Sequence, residues 1–493
     1  MKTHNVLFNY RLEIGLIILL ITTNVLLRFP IVGHELGADS FFIHSLANHI
    51  LINEGAEWLL SPLSYFGFYP LSYPSGNPHL LAIFSALSGI NIEMSIFWTS
   101  LILGLLSAAT SYILAGCFHN EIFFKGLVAF LYSTSGIILK FTNWTASGRG
   151  LFLVLIPLVI WLVFRFSEKR STKYLLIIGI ISLCLAADHR MFVYIVPYIL
   201  VYFSSYFLYK HWKFFNAKYF SVFYLICITV LFIFSFFFHH YGWTLRYIEI
   251  SGYNWYNYLF GTVFTISARF GFLLFFAVIG LILCTLKDEK SIPELFLLLS
   301  VLLFTPFLGH TMYFYQALTP VIVILAGFSI FWIVKKVNSS KKRQITIILI
   351  LTLMISFSAM TLTVRYSNES NYLLDQTSAA GTYIGLDLNS RVYAPSGEYV
   401  RQISAITNYP LSDMEKINPE NKIQNLNSIK LKRFPTSFQD FFRFVKSPFD
   451  GSVTICEDTR KKYTLLKIIE NPEDHIEKDL VYANNLQNIW ILK

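Results

Sequence analysis

Apolar residues gather into eleven long runs along the chain, at residues 12–29, 94–116, 124–140, 150–166, 174–187, 191–209, 219–238, 269–286, 292–308, 314–334 and 344–364. A helix that crosses a bilayer needs about 20 mostly apolar residues. The runs therefore predict a polytopic all-α membrane protein with about 11 transmembrane helices in residues 1–365. The first run follows Lys2 and Arg11 and ends in Arg28-Phe29-Pro30, which lacks the small residues of a peptidase site, so it reads as an uncleaved span.

Two polar stretches interrupt this pattern. Residues 31–79 hold the carboxylates Glu35, Asp39, Glu54 and Glu57 and the histidines His34, His44, His49 and His79. Asp39 is placed to cap an interfacial helix over about 40–53, and a second short helix is predicted over about 79–90. Pro62, Pro70, Pro74 and Pro78 break the chain between and around them. After about residue 366 the long apolar runs stop. Strand-like runs at 391–394, 453–456 and 488–492 are interspersed with helix-like runs at 377–384, 400–407 and 438–445, which predicts a small C-terminal α/β domain over 366–493 with a partly parallel sheet.

Composition agrees with a membrane protein: 55% of the 493 residues are hydrophobic and only 14% charged, against about a quarter charged in soluble domains. The net charge of +10 would point to nucleic acid in a soluble chain. Here the basic residues lie in short loops, and no RNA- or DNA-binding motif is present. With the N-terminus cytoplasmic, the inner loops carry Lys125, Arg165, Lys169, Arg170, Lys173, Lys210, Lys213, Lys218, Lys287, Lys290, Lys335, Lys336, Lys341, Lys342 and Arg343. The outer loops carry only Lys140, Arg149, Arg190, Arg246 and Arg269. This positive-inside pattern predicts a multi-pass cell-membrane protein with the 31–79 loop and the C-terminal domain extracytoplasmic. Of five cysteines only Cys456 lies in the tail, which excludes a disulfide within it, and no pair has zinc-site spacing.

Asp39 is the leading catalytic candidate, as a general base at a membrane boundary, and Glu35 is the next. Asp188, His189 and Arg190 form a tight polar turn between the fifth and sixth runs. A guanidinium matches phosphate geometry, so Arg190 is a candidate to grip a lipid-linked phosphate, with Arg149 and Arg246 as further phosphate candidates. If a divalent metal, Mg or Mn, takes part, Asp39 and Asp188 supply its oxygen ligands. The four loop histidines lack metal spacing and read as structural or substrate-contacting. The aromatic segment 241–258 reads as an interfacial belt.

The chain resembles the GT-C superfamily of integral-membrane glycosyltransferases, which includes protein O-mannosyltransferases, aminoarabinose transferases and the oligosaccharyltransferase catalytic subunit. The resemblance is carried by Gly37-Ala38-Asp39 soon after the first span, SYFGFYPLSYP, GRGLFLVLIPLVIW, the His189-Arg190 turn, YQALTPVIVILAG and the ending VYANNLQNIWILK. It implies a catalytic base or metal ligand at Asp39, a polyprenyl-phosphate-linked sugar donor, and a glycan, lipid or protein acceptor on the outer face. FTNWTASGRG lacks the paired acids of the oligosaccharyltransferase type, and the tail lacks WWDYG, which argues against N-linked oligosaccharide transfer.

The expected function is thus an inverting membrane glycosyltransferase of the hexosyltransferase class, dependent on a lipid-phosphate sugar. One rival is a lipid-linked glycan ligase or polymerase that uses outer-face Arg and His. Another is a non-enzymatic lipid or glycan transporter, disfavoured because no internal repeat is visible.

Overall fold

The structure, a computed structural model, describes residues 2–29, 32–52, 74–212, 217–241, 269–307, 312–337 and 339–366, with Val263, Ile266, Ser267, Ala405 and seven short strands of the tail. Arg246, the aromatic segment 242–258 and the tail run 453–456 lie outside the described residues. The chain divides into two compact units. One comprises Met1–Arg28, Leu101–Phe141 and Arg149–Thr363; the other comprises Phe29–Ser100, Thr142–Gly148 and Val364–Lys493.

Each of the eleven apolar runs falls mainly on helix. The helices are α1 (Lys2–Arg28), α2 (Ala38–Ile52), α3 (Gly76–Ser88), α4 (Ile92–Ala115), α5 (Ile122–Ser133), α6 (Gly136–Thr142), α7 (Gly148–Lys169), α8 (Thr172–Asp188) and α9 (Ile195–Lys210). They continue with α10 (Ala217–Tyr241), α11 (Phe272–Leu286), α12 (Ile292–Phe304), α13 (Met312–Lys336) and α14 (Ser340–Tyr366). Among the described residues five are long and apolar enough to cross a membrane, and a bent pair makes a sixth if it is one span. Helix is what the apolar runs require, since lipid offers no partner to a free backbone N–H or C=O.

In the first unit α13 is the central helix: Ala317, Val321, Val323 and Ala326 are fully buried. Around it Phe124, Phe152, Tyr198, Phe296 and Phe304 fill the core. Leu176, Phe207, Phe223 and Leu349 face outward, as lipid-facing residues do. Helices α11 and α13 approach so closely that a Cβ on Gly280 would lie 1.9 Å from the Leu325 carbonyl oxygen.

The run at 124–140 is not one straight helix. It breaks after Ser133, and α5 and α6 meet at 57°. Thr134 and Ser135 turn their hydroxyls back onto the carbonyls of Phe130 and Tyr132, competing with the helical ladder. The carbonyls at the break find partners elsewhere: Arg28 Nη2 donates to Ser133 O at 3.0 Å, and Ser358 Oγ donates to Thr134 O at 2.5 Å.

In the second unit α2 and α3 pack with the start of α4 and the segment 142–148. Ile43, Ala47 and Ile50 of α2 repeat at helical spacing and meet Leu81, Ala82, Ile92, Ile96, Trp144 and Ala146. Helix α2 begins at Ala38, one residue before Asp39, so Asp39 lies in the first turn rather than at the cap position. The chain reverses into it at Gly37, whose φ of 99° suits a residue without Cβ. The α3 helix starts at Gly76, and Gly89 closes it with φ 72°.

The tail strands are β1 (Arg391–Ala394), β2 (Ser412–Asp413), β3 (Lys430–Leu431), β4 (Phe449–Asp450), β5 (Leu465–Ile469), β6 (Lys478–Ala483) and β7 (Asn488–Leu492). Five of them form a mixed sheet in the order β2-β1-β5-β7-β6, and β3 pairs with β4. Strand β1 runs parallel to β2 and β5, while β7 is antiparallel to β5 and β6.

Candidate active site

Two clusters carry the candidate chemistry, one in each unit. The first unit gathers basic and aromatic side chains where α8 ends, α7 begins and α13 begins. Helix α8 stops at Asp188, and His189 adopts extended backbone, so that a 3-10 turn, Arg190–Tyr194, starts at once. His189 Nδ1 accepts from the Met191 N–H at 3.1 Å, which leaves the ring proton on Nε2. The His189 ring lies edge-on to Tyr313, centroids 5.6 Å apart. Arg190 Nη2 donates to the Tyr313 hydroxyl at 2.5 Å, and its guanidinium is 4.8 Å from the centre of that ring. Arg149 approaches the same ring at 5.4 Å and Phe141 at 5.2 Å. Arg269 neighbours Tyr315.

Electrostatics in this cluster are one-sided. Burial, with the charges of Arg149 and Arg190 beside it, pushes His189 down to about 3, so the imidazole is neutral. Asp188, just past the apolar stretch of α8, is only 3% exposed. Burial pushes its carboxyl well above the usual carboxylate range, and among the described residues neither oxygen has a hydrogen-bond partner. Guanidinium groups gathered on aromatic rings have the chemistry to hold an anion with several oxygens, such as phosphate.

The second unit holds a carboxylate network. Glu35 is 1% exposed. One of its oxygens accepts from Ser40 Oγ at 2.5 Å, and the other meets His44 Nδ1 at 2.5 Å. Ser40 Oγ in turn accepts from the Ala146 N–H at 2.7 Å. Glu93 Oε1 bonds both His34 Nδ1 and the Glu35 N–H, each at 3.0 Å. Trp144 clamps the other side: its carbonyl accepts from Leu36 N–H at 2.9 Å and its indole donates to Glu93 O at 3.2 Å. Trp144 holds a positive φ of 41°, a strained conformation for a bulky residue. Asp39 stands on the first turn of α2 with its side chain exposed. A carboxylate is favourable there because the helix N-terminus is its positive end.

Sequence reasoning therefore names Arg149, His189 and Arg190 and the structure brings them together, with Asp188 adjoining. Glu35 and Asp39 are neighbours in the other cluster. Tyr313, Ser40, Glu93 and Arg269 were missed as site residues. Among the described residues no three His, Cys, Asp or Glu side chains come together as a metal site.

No protein-family model matches the chain, and no curated protein matches it in sequence. Its backbone does match solved structures. The archaeal oligosaccharyltransferase AglB from Archaeoglobus fulgidus, in complex with an inhibitory peptide and a dolichol-phosphate, superposes with TM-score 0.59 at 12% identity, covering 82% of this chain and 64% of that one. The chain thus spans less than two thirds of that protein's length. ArnT from Cupriavidus metallidurans bound to undecaprenyl phosphate superposes with TM-score 0.52 at 11% identity, covering 98% of this chain and 97% of that one. The chain shares its fold with these two solved structures. A third structure, the A. fulgidus oligosaccharyltransferase in complex with Zn and sulfate, has TM-score 0.56 at 13% identity, covering 80% and 61% of the two chains.

Proposed function

We propose that this protein is a membrane glycosyltransferase that moves a sugar from a polyprenyl-phosphate donor to an acceptor hydroxyl on the outer face of the membrane. The observation that carries the reading is the cluster of Arg149, Arg190 and His189 around Tyr313, built on a GT-C fold. The polyprenyl phosphates bound in the GT-C neighbours support a donor of that class. Arg149 and Arg190 hold the phosphate and neutralise the charge that grows on it as it leaves. Neutral His189 donates through Nε2–H.

In the step itself the acceptor oxygen bonds to the anomeric carbon from the face opposite the phosphate, and the bond from that carbon to the phosphate oxygen breaks. A carboxylate takes the hydroxyl proton, a role that its position in the sequence assigns to Asp39, and polyprenyl phosphate leaves with the bonding pair. This inverts the configuration. Glu35, with both oxygens engaged, does not react; it fixes Ser40 and His44 beside Asp39. General-base catalysis of this kind is worth about 10²–10⁴ in rate, so Asp39→Asn in the purified, folded protein should lower turnover by at least about a hundredfold with donor binding kept. Turnover near wild type removes Asp39 from the mechanism.

A ligase joining lipid-linked glycans is the second reading, favoured by the finding that the histidine and both arginines meet on one tyrosine. It requires that Arg190→Ala and His189→Ala abolish activity while Asp39→Ala does not. Helices long and apolar enough to cross a bilayer support a membrane setting for either enzyme; the orientation, with the Asp39 loop outside, rests on the positive-inside pattern.

A further inference from the structure

Among the described residues Asp188 is an acceptor with no donor. It is 3% exposed, and neither carboxyl oxygen has a hydrogen-bond partner among the described residues. Gln316 repeats the feature: it too is 3% exposed, and its Oε1 has no partner among them. The two belong to the elements that build the basic cluster. Asp188 directly precedes His189, and Gln316 lies one helical turn along α13 from Tyr313, whose ring touches His189, Arg149 and Arg190. A buried acceptor left unmade lowers stability, and native proteins carry few of them. The end of a helix worsens matters for Asp188, since its carboxyl lies at the negative pole of α8. Removal of the carboxyl would favour the folded state, so its presence calls for a ligand that supplies donors.

The chemistry of the surroundings narrows that ligand. Arg149, Arg190 and Arg269 repel a cationic group, so an ammonium is a poor occupant. Buried acceptors carried on the same elements as the basic cluster fit a neutral polyol attached to a phosphate. We infer that Asp188, with Gln316, reads the hydroxyl groups of the donor's sugar next to the phosphate held by Arg149 and Arg190, and so sets which sugar is accepted. Asp188 accepts from the sugar and Gln316 Oε1 offers a second acceptor. This assignment rests on the donor reading proposed above. The preference of the buried carboxyl for its neutral form suits a hydroxyl partner, to which it can both donate and accept.

The test uses the full chain in detergent, with undecaprenyl phosphate and a set of undecaprenyl-phosphoryl hexoses as probes. Asp188→Leu, Asp188→Asn and Gln316→Leu should melt no lower than wild type and bind undecaprenyl phosphate within about twofold of it. Asp188→Leu should bind the hexose-bearing lipid roughly tenfold or more weakly, the loss expected when a buried hydrogen bond to an ionisable group goes unmade. Asp188→Asn, which keeps shape and one acceptor, should lose less. Equal weakening toward both lipids overturns the assignment and makes Asp188 a support for the arginines. No change toward either lipid overturns it as well, and so does a lower melting point in both Asp188 variants. A wild-type protein that binds neither lipid overturns the donor reading itself, whereas one that binds both, with the variants unchanged, sinks only the role of Asp188.

Discussion

Arg190 engages Tyr313 in two ways at once: a hydrogen bond of 2.5 Å to the hydroxyl and a guanidinium 4.8 Å from the ring centre. Arg149 shares the same ring at 5.4 Å. Tyr313 is therefore the common platform of two like charges that would otherwise repel. It fixes both without consuming them, because an aromatic face attracts a cation yet leaves guanidinium N–H groups for an anion.

Replacing Tyr313 by Phe removes the hydroxyl and keeps the ring, while Leu removes both. A hydrogen bond involving a charged group is worth about 1.5–3 kcal/mol, and a cation on an aromatic face about 0.5–2 kcal/mol. With Arg190 exposed, the lower ends of these ranges apply. Affinity for undecaprenyl phosphate should fall about threefold to tenfold in Tyr313→Phe and several-fold further in Tyr313→Leu. Calorimetric titration of the purified variants measures both. Equal affinities for all three proteins would remove Tyr313 from the anion site.

The carboxylate network gives a separate expectation. Ser40→Ala leaves the buried Ala146 N–H and one Glu35 oxygen without their partner, and should cost about 1–3 kcal/mol. Glu35→Ala, which strips His44 of its buried partner as well, should cost about 3–5 kcal/mol. Thermal melts in detergent report both, and Ser40→Ala should be the milder.

How much of this was legible beforehand differs between the clusters, for physical reasons. Apolar runs betray helices because lipid and core impose one rule on the whole segment. The break in the run at 124–140 was hidden because Ser133, Thr134 and Ser135 are neutral and small, and a helix tolerates them until Arg28 and Ser358 take up its carbonyls. Arg149 and Arg190 stood out as charges among few. Tyr313 did not, because the connection 309–316 carries no charge and tyrosines are everywhere in this chain. Glu93 opens α4, and its pairing with His34 comes from 59 residues away, a contact no local pattern records. The loop histidines, read as structural or substrate-contacting, divide their contacts between two acids, with His34 on Glu93 and His44 on Glu35.

Acidity should tilt stability in opposite directions at two adjacent residues. His189 has a folded value of about 3 against about 6.5 when unfolded, so its contribution is present above pH 6.5 and is lost as pH falls. Asp188 is raised when folded, so its contribution is present below about pH 4 and is lost as pH rises. Between about pH 4 and 6.5 the two act in opposite directions, each at about 1.4 kcal/mol per pH unit at most. Relative to wild type, Asp188→Asn should lose stability on acidification and His189→Gln should gain it. Denaturation midpoints across that range provide the check, and parallel profiles in all three proteins would contradict the shifts.

Close helix contacts make a fourth expectation, purely structural. Gly280→Ala puts a methyl against the Leu325 carbonyl and must push α11 from α13, costing about 1–3 kcal/mol or more. Gly179, inside α8, has open space where a Cβ would stand, with no atom within 4 Å, and Gly179→Ala should stabilise the protein by about 0.5–1 kcal/mol. Opposite shifts in melting temperature are expected from two substitutions of identical chemistry.

Arg28 has a consequence for the order in which the chain is assembled. Its guanidinium is buried at the end of the first helix, holding Asn24 Oδ1 at 2.7 Å and the Ser133 carbonyl at 3.0 Å. Asn24 arrives with it from the ribosome, but Ser133 is made 105 residues later. A newly inserted first helix thus carries a charge whose final partner does not yet exist. Its set of partners is complete only once the broken span has been made, so the break at Ser133 ties the first helix to a segment synthesised much later.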